Sequence, residues 1–239
     1  MKVLSIIQAR IGSTRLQRKV MMTIQEKTII EHIINFLQHS KYTNKVIVAT
    51  TNLKEDDELE TLLNHLGIDC FRGSADNVLE RYYECAKYFN GDLIVRITAD
   101  NPLVDPTIID KAIFLCKETK CDYATNLLTP TFPTGYSAEV LKFSTLSRIY
   151  NTQHDKQSKE HVTYHIRNNP HLYDIKEIYA PTELVRPNWR LTMDYKEDFE
   201  LISEIFSRLY IPSSFIKYRS VVELLDKNPH LLKINEKHR

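Results

Sequence analysis

Four cations, two hydroxyls and one glycine crowd the stretch from Gln8 to Lys19: Arg10, Arg15, Arg18 and Lys19 around Gly12, Ser13 and Thr14. Guanidinium forks, hydroxyls and backbone N–H groups are all donors, and donors that converge on one volume can hold a polyphosphate. The apolar run Val3 to Ile7 predicts a buried strand that ends where these cations begin. The loop is not a Walker A motif, because Arg18 precedes Lys19 and Val20 follows it, and no G-x-G-x-x-G is present. On charge alone the competing reading is a solvated basic turn.

Three other places carry candidate chemistry. Asp100 follows the strand-like run Asp92 to Thr98, where a carboxylate can bind a hard divalent cation such as Mg2+; a turn or N-cap role competes. Asp194 ends a second strand-like run, Trp189 to Met193, and is equally suited to cap the helix that follows. His161 and His165 stand four residues apart in a predicted helix from Lys159 to Asn168, on one face. That is metal-ligand spacing, but H-E-x-x-H is absent and no further ligand follows, so a substrate- or partner-facing helix is the better reading. No Ser-His-Asp or Cys-His arrangement stands out.

The elements that must position these residues alternate. Strands are predicted at Lys45 to Thr50, Ile68 to Phe71, Asp92 to Thr98 and Asp122 to Thr125. Helices are predicted between them, one opening on Thr28 with Glu31 as a capping box. This β-α alternation implies an α/β, three-layer αβα fold with a mainly parallel, Rossmann-like sheet. Ligands in such sheets sit beyond the strands' carboxyl ends, so the loops at 8–19, 50–54, 72–76 and 98–102 should converge. The pattern breaks after residue 126, and residues 127–188 read as a small inserted lobe with antiparallel pairing, usable for substrate or dimer contact. Helices follow at Lys196 to Leu209 and Phe215 to Leu225. The single domain therefore spans 1–226, with 227–239 a frayed polar tail.

Composition narrows the function. The 239 residues are 42% hydrophobic and 26% charged, with net charge +1, so no global field favours nucleic acid or an anionic membrane. No apolar run approaches a membrane span and no secretory signal is evident. Cys70, Cys85, Cys116 and Cys121 form neither CxxC nor zinc spacing and read as core residues of a reducing, cytoplasmic protein.

Residues 7–19 (IQARIGSTRLQRK) resemble the opening motif of the sugar-acid cytidylyltransferases, nearest the branch of spore coat polysaccharide biosynthesis proteins. CMP-sialate, CMP-pseudaminate/legionaminate and CMP-Kdo synthetases are relatives. Residues 71–82 (FRGSADNVLERY), 95–106 (VRITADNPLVDP), 132–140 (FPTGYSAEV), 159–163 (KEHVT) and 191–198 (LTMDYKED) resemble further motifs of that branch, in order. The resemblance implies transfer of CMP from CTP to a sugar acid with release of pyrophosphate, Mg2+ as cofactor and a homodimer. It assigns Arg10, Lys19 and Asp100 to catalysis and Asp100 and Asp194 to the metal. Gln8, Ala9, Arg10, Gly12, Ser13, Lys19, Gly73 and Arg81 would bind nucleotide, and Glu139, Glu160 and His161 the sugar. Two departures stand out: the family usually has Pro-Gly where this chain has Gln17-Arg18, and often Asp-Val where it has Ser137-Ala138. A metal-dependent glycosyltransferase is the alternative enzyme class, though Asp100-Asn101-Pro102 is not its Asp-x-Asp. A catalytically silent sugar- or nucleotide-binding protein is the third reading.

Overall fold

A computed structural model describes residues 1–239. The chain opens on β1 (Val3–Gln8), then forms a short hairpin of β2 (Thr23–Ile24) and β3 (Lys27–Thr28) that the sequence did not announce. α1 (Ile29–Leu37), β4 (Lys45–Thr51), α2 (Asp57–His65), β5 (Asp69–Gly73), α3 (Val78–Tyr88), β6 (Leu93–Thr98), α4 (Pro106–Thr119) and β7 (Tyr123–Thr125) complete the expected alternation. After these come β8 (Glu139–Lys142), α5 (Phe143–Thr152), α6 (Lys156–Glu160), α7 (Tyr164–Asn168), β9 (Ile175–Glu177), α8 (Lys196–Leu209) and α9 (Tyr218–Lys227).

The main sheet has seven strands in the order β5-β4-β1-β6-β8-β7-β9. All pairings are parallel except those of β8, which runs antiparallel to both β6 and β7. The antiparallel pairing expected of residues 127–188 thus lies inside the sheet, because β8 inserts between two strands that precede it. Strand order reverses beside β1: the chain leaves toward β4 and β5, then returns to place β6 on the other side. At such a switch point the crossovers diverge and leave a crevice at the carboxyl ends. The register there sets Gln8 opposite Ala49 on one side and Thr98 on the other.

Side chains alternate across the strands. Val3 and Ile7 enter one apolar cluster with α1, α4 and α8, whereas Leu4 and Ile6 enter another with α3 and α5. Gln8 continues the Leu4–Ile6 row, and Arg96 continues from Ile94 in β6, so both lie on the α3 side. The helix signals hold at α1: Thr28 Oγ1 accepts from Glu31 N at 3.3 Å, and Glu31 Oε2 accepts from Thr28 N at 2.8 Å.

Two expectations change. The predicted helix over 159–168 is broken into α6 and α7 around residues 161–163, so His161 and His165 do not share a helix face. The Nδ1 of His165 instead lies 2.7 Å from the Tyr173 hydroxyl. Residues 227–239 are not frayed: short 3-10 turns at Pro229–Lys233 and Glu236–His238 bury Leu231, Leu232 and Asn235. The His238 ring stacks on Tyr195 with centroids 3.8 Å apart. Two leucines among polar neighbours are enough to anchor a segment that composition alone calls a tail.

His32 gives the fold a measurable pH dependence. It is fully buried against Phe206 and Tyr210, and its Nε2 donates to the Ile24 carbonyl at 2.7 Å while Nδ1 has no partner. Burial lowers its pKa below the ordinary 6.5, against the carbonyl's opposing pull. The unfolded chain therefore takes up a proton as pH falls through about 6.5 while the folded one does not, and stability drops with it. Urea midpoints of the wild type should fall between pH 7.5 and 5.5 more than those of His32→Gln.

Candidate active site

One cleft of about 810 Å3 opens at the carboxyl ends of β1 and β6. Gln8, Ala9, Arg10, Gly12, Ser13, Lys19, Arg81, Asp100, Glu160, His161 and Asp194 all line it. Gly73 and Glu139 do not. The loop at 50–54 is absent too, its carbonyls being taken by Arg72, which donates to Thr51 O and Leu53 O at 2.7 Å each.

The cationic loop is held at its base by a residue that sequence reading passed over. Asp56 is fully buried and accepts hydrogen bonds from Ile11 N at 2.7 Å, Thr51 N at 3.3 Å and the Thr51 hydroxyl. Glu55 lies so close to Gly12 that a Cβ there would collide with its carboxylate end. Arg18 has a left-handed backbone, φ 55°, at the position where the family usually has glycine. Its guanidinium pairs with exposed Glu58 at 2.6 Å and does not line the cleft. The extra charge of the Gln17-Arg18 departure is thus directed away from the site. Arg10 lines the cleft without any ion pair, and Arg81, nearly fully buried, donates to the Ser74 carbonyl and has no carboxylate partner either. Burial lowers the Arg81 pKa, and Arg10 adds to the effect. Gly73 serves Arg81 indirectly, since a Cβ there would press to 3.1 Å on its Cγ.

Opposite the loop, two segments far apart in sequence deliver the carboxylates. Met193 N donates to the Asp100 carbonyl at 2.7 Å, and Thr192 Oγ1 donates to the same oxygen at 3.1 Å. Segment 190–193 is extended but forms no strand; its one bridge is Thr134 to Arg190. Gly135 makes this contact possible: at φ +112°, any Cβ would strike the Leu191 carbonyl. Behind Asp194, fully buried Asp198 accepts from Arg190 Nε at 3.1 Å and Nη2 at 3.0 Å, from Asp194 N at 2.9 Å and from Asn235 Nδ2 at 2.8 Å. It is Asp198, not Asp194, that caps α8, through the Tyr195 N–H at 3.0 Å.

Asp194 meets Arg15 at 2.8 Å, Arg190 at 3.0 Å and Lys19 at 3.1 Å. Burial pushes its carboxyl up, but Lys19, Arg190 and Arg15 overcome that and hold it below the usual carboxylate range. Lys19 also stands 3.6 Å from Asp100. Asp100 and Asp194, the cleft carboxylates nearest Lys19, are oxygen donors of the kind a hard divalent cation takes alongside phosphate oxygens and water, while Asp198 behind Asp194 is occupied by Arg190 and backbone N–H groups. The far wall brings His154 and Lys156, which the sequence reading did not single out, beside Lys159, Glu160 and His161 of the 159–163 motif.

A sequence profile of the cytidylyltransferase family matches residues 4–229. The chain belongs to that family. The spore coat polysaccharide biosynthesis protein SpsF of Bacillus subtilis is 34% identical over 232 residues, covering 95% of each chain. A cytidylyltransferase from Leptospira borgpetersenii superposes with a TM-score of 0.89 at 32% identity, covering 97% of each chain. A CMP-2-keto-3-deoxy-manno-octonic acid synthetase solved with CTP has a TM-score of 0.65 at 15% identity, covering 87% of this chain and 99% of its own, and shares the fold. These similarities agree with the nucleotidyltransferase sheet and with the resemblance carried by the ordered motifs.

Glu139, expected at the sugar, is 1% exposed and accepts from Arg96 at 2.5 Å, Tyr123 Oη at 2.6 Å and Thr163 Oγ1 at 2.5 Å. Arg96 in turn donates to Gln8 Oε1 at 3.2 Å. Burial pushes the Glu139 carboxyl up, yet Arg96 and the two hydroxyls keep it below its ordinary 4.5. Glu139→Gln should cost about 3–5 kcal/mol of stability at neutral pH, because it leaves Arg96 buried without its counter-charge. A depressed carboxylate stabilises above its ordinary pKa and loses that contribution as pH falls below it, so the gap between wild type and variant should narrow toward pH 3 in urea denaturation. His161→Ala, on the cleft wall, should leave the unfolding midpoint unchanged.

Proposed function

We propose that this cytidylyltransferase moves CMP from CTP to a sugar acid, releasing pyrophosphate, in the biosynthesis of a surface polysaccharide or glycan. The observation that carries the reading is a cleft in which unpaired Arg10 and Arg81 face a carboxylate pair, Asp100 and Asp194. The cleft has six Lys or Arg side chains against four Asp or Glu, an excess that suits a polyanion.

In this reading the sugar hydroxyl oxygen attacks the α-phosphorus and releases its proton to water, the bond from that phosphorus to the bridging oxygen of the β-phosphate breaks, and pyrophosphate leaves with the electron pair. Mg2+, held by Asp100 and Asp194, would supply neutralisation of the phosphate charge. The chain's own groups do the rest. Arg10 and Ser13 donate to the phosphates, and Gly12 lets the loop backbone approach them. Arg81 and Gln8 lie on the α3 side of the cleft, where the nucleoside fits. The Gln8 amide oxygen is taken by Arg96, which has only donors to offer, so its NH2 group is the part left for ligand. Lys159, His154 and His161 on the far wall suit the carboxylate that distinguishes a sugar acid from a neutral sugar. A homodimer in the cytoplasm completes the reading, and light scattering checks the dimer. No helix is long and apolar enough to cross a membrane.

Calorimetry with Mg2+ should show CTP preferred over ATP, GTP and UTP. Equal affinity for all four overturns the base assignment. Asp100→Ala should lower pyrophosphate release by about 100-fold or more, the scale of losing one preorganised electrostatic contact, with an unchanged circular dichroism spectrum. Turnover retained in that variant removes Asp100 from the chemistry.

A further inference from the structure

Lys19 is the one cation that touches both carboxylates. Its ammonium lies 3.1 Å from Asp194 Oδ1 and 3.6 Å from Asp100 Oδ2, and it donates to the Met193 carbonyl at 3.1 Å. Arg15 and Arg190 reach only Asp194, and Asp100 has no other ion-pair partner. Lys19 therefore occupies the space between the two aspartates and would compete with a divalent cation held by both. Arg15 shares Asp194 Oδ1 with Lys19 at 2.8 Å, but only Lys19 also reaches Asp100, so a divalent cation held by both aspartates would meet the ammonium at repulsive range.

The backbone under Lys19 is fixed. Residues 19–21 form a 3-10 turn in which Met21 N donates to Arg18 O at 2.8 Å, and Val20 is buried. The ammonium rides on a flexible four-carbon stem, so the side chain can move while the turn stays. The same cleft is lined by Arg10, Gly12, Ser13 and Thr14, the groups of the proposed triphosphate site.

We propose that Lys19 is a resident counter-cation of the Asp100–Asp194 pair, excluding divalent metal until the triphosphate of an incoming nucleotide draws its ammonium away. The metal site is thus closed in the free protein and opens as the nucleotide enters. This rests on the reading of the cleft as a metal–nucleotide site and adds an order to it. Metal and triphosphate then favour each other's binding, and couplings of this kind typically amount to about 5–150-fold.

The test is Mn2+ binding without nucleotide, read by electron paramagnetic resonance, which requires no turnover. Wild type is compared with Lys19→Met, Lys19→Arg, Arg10→Met and the double variant Lys19→Met/Asp194→Asn, each checked for an unchanged circular dichroism spectrum. Lys19→Gln replaces Lys19→Met if that variant fails to fold. Lys19→Met should bind Mn2+ at least about tenfold more tightly than wild type. Lys19→Arg, which keeps the charge, should stay weak, and the double variant should lose the gain. Arg10→Met removes a cation from the same cleft that pairs with neither aspartate, and should change little. Wild type binding Mn2+ as tightly as Lys19→Met overturns the exclusion while leaving the CTP reading intact. An equal gain in Arg10→Met also overturns it, because the effect would then be the cleft's general field. A gain that survives Asp194→Asn places the metal elsewhere and removes both the exclusion and the proposed metal ligand. Failure of wild type to bind CTP in the calorimetric panel is a separate result and falls on the nucleotide reading.

Discussion

A hydrogen bond from the Met193 N–H to the Asp100 carbonyl holds the two halves of the site together. Without it, Asp100 is a strand-end residue of an ordinary parallel sheet and Asp194 belongs to a peripheral segment. With it, both carboxylates face the cationic loop. The supports of this contact are themselves backbone contacts. Leu191 N donates to Thr134 O at 2.7 Å and Thr134 N donates to Trp189 O at 3.0 Å, across the close approach that Gly135 permits. Regular strand pairing is not needed, because the polar groups of this stretch are satisfied one by one.

Two buried charge networks then fix the side chains. On one side, Asp198 gathers Arg190, the start of α8 and Asn235, so that Arg190 reaches Asp194 from a constrained position. On the other, Glu139 gathers Arg96, Tyr123 and Thr163, and Arg96 orients Gln8. Both pairs are costly to bury and are compensated by multiple hydrogen bonds. The result is a cleft whose inner surfaces are braced by buried, hydrogen-bonded charges. Thr163 links the second network to the segment carrying Lys159 and His161, which forms the outer wall.

Much of this was legible in the sequence. The Val3–Ile7 run, the Thr28–Glu31 box and the α8 periodicity depend on neighbours a few residues away, and each appears as expected. The strand-end loop and Asp100 were readable because α/β sheets place ligands at one end. The rest was hidden for stated reasons. A four-residue strand such as β8 carries no information about its partners, so its insertion between β6 and β7 could not be read. The helical period runs on across 161–163 although the backbone does not, which made His161 and His165 look like neighbours. Glu139 sits beside apolar Val140 and Leu141, and only its partners, Arg96 and Tyr123, reveal that it is internal. Asp198 carries no sequence signal of its buried role, because Asn235, its remote partner, lies in a stretch whose composition suggests a tail. Ser137, where relatives often carry Asp, accepts from Asn101 Nδ2 at 3.2 Å, which places that departure beside Asp100 rather than in a separate lobe.

The Thr192 hydroxyl and the Asp100 carbonyl that it meets are 92 residues apart. The central parallel strands β1, β4 and β6 are complete by Thr98, so the cationic loop has its scaffold from the first part of the chain. The carboxylate pair has no such local origin. Its formation must close a long loop, whose entropic cost is recovered only when the 190–194 segment docks. Along the folding route the two halves of the cleft are therefore separable events: a chain with its first strands in place already gathers the cationic loop and Asp100 at one sheet end, and acquires Asp194 only when the distant segment arrives.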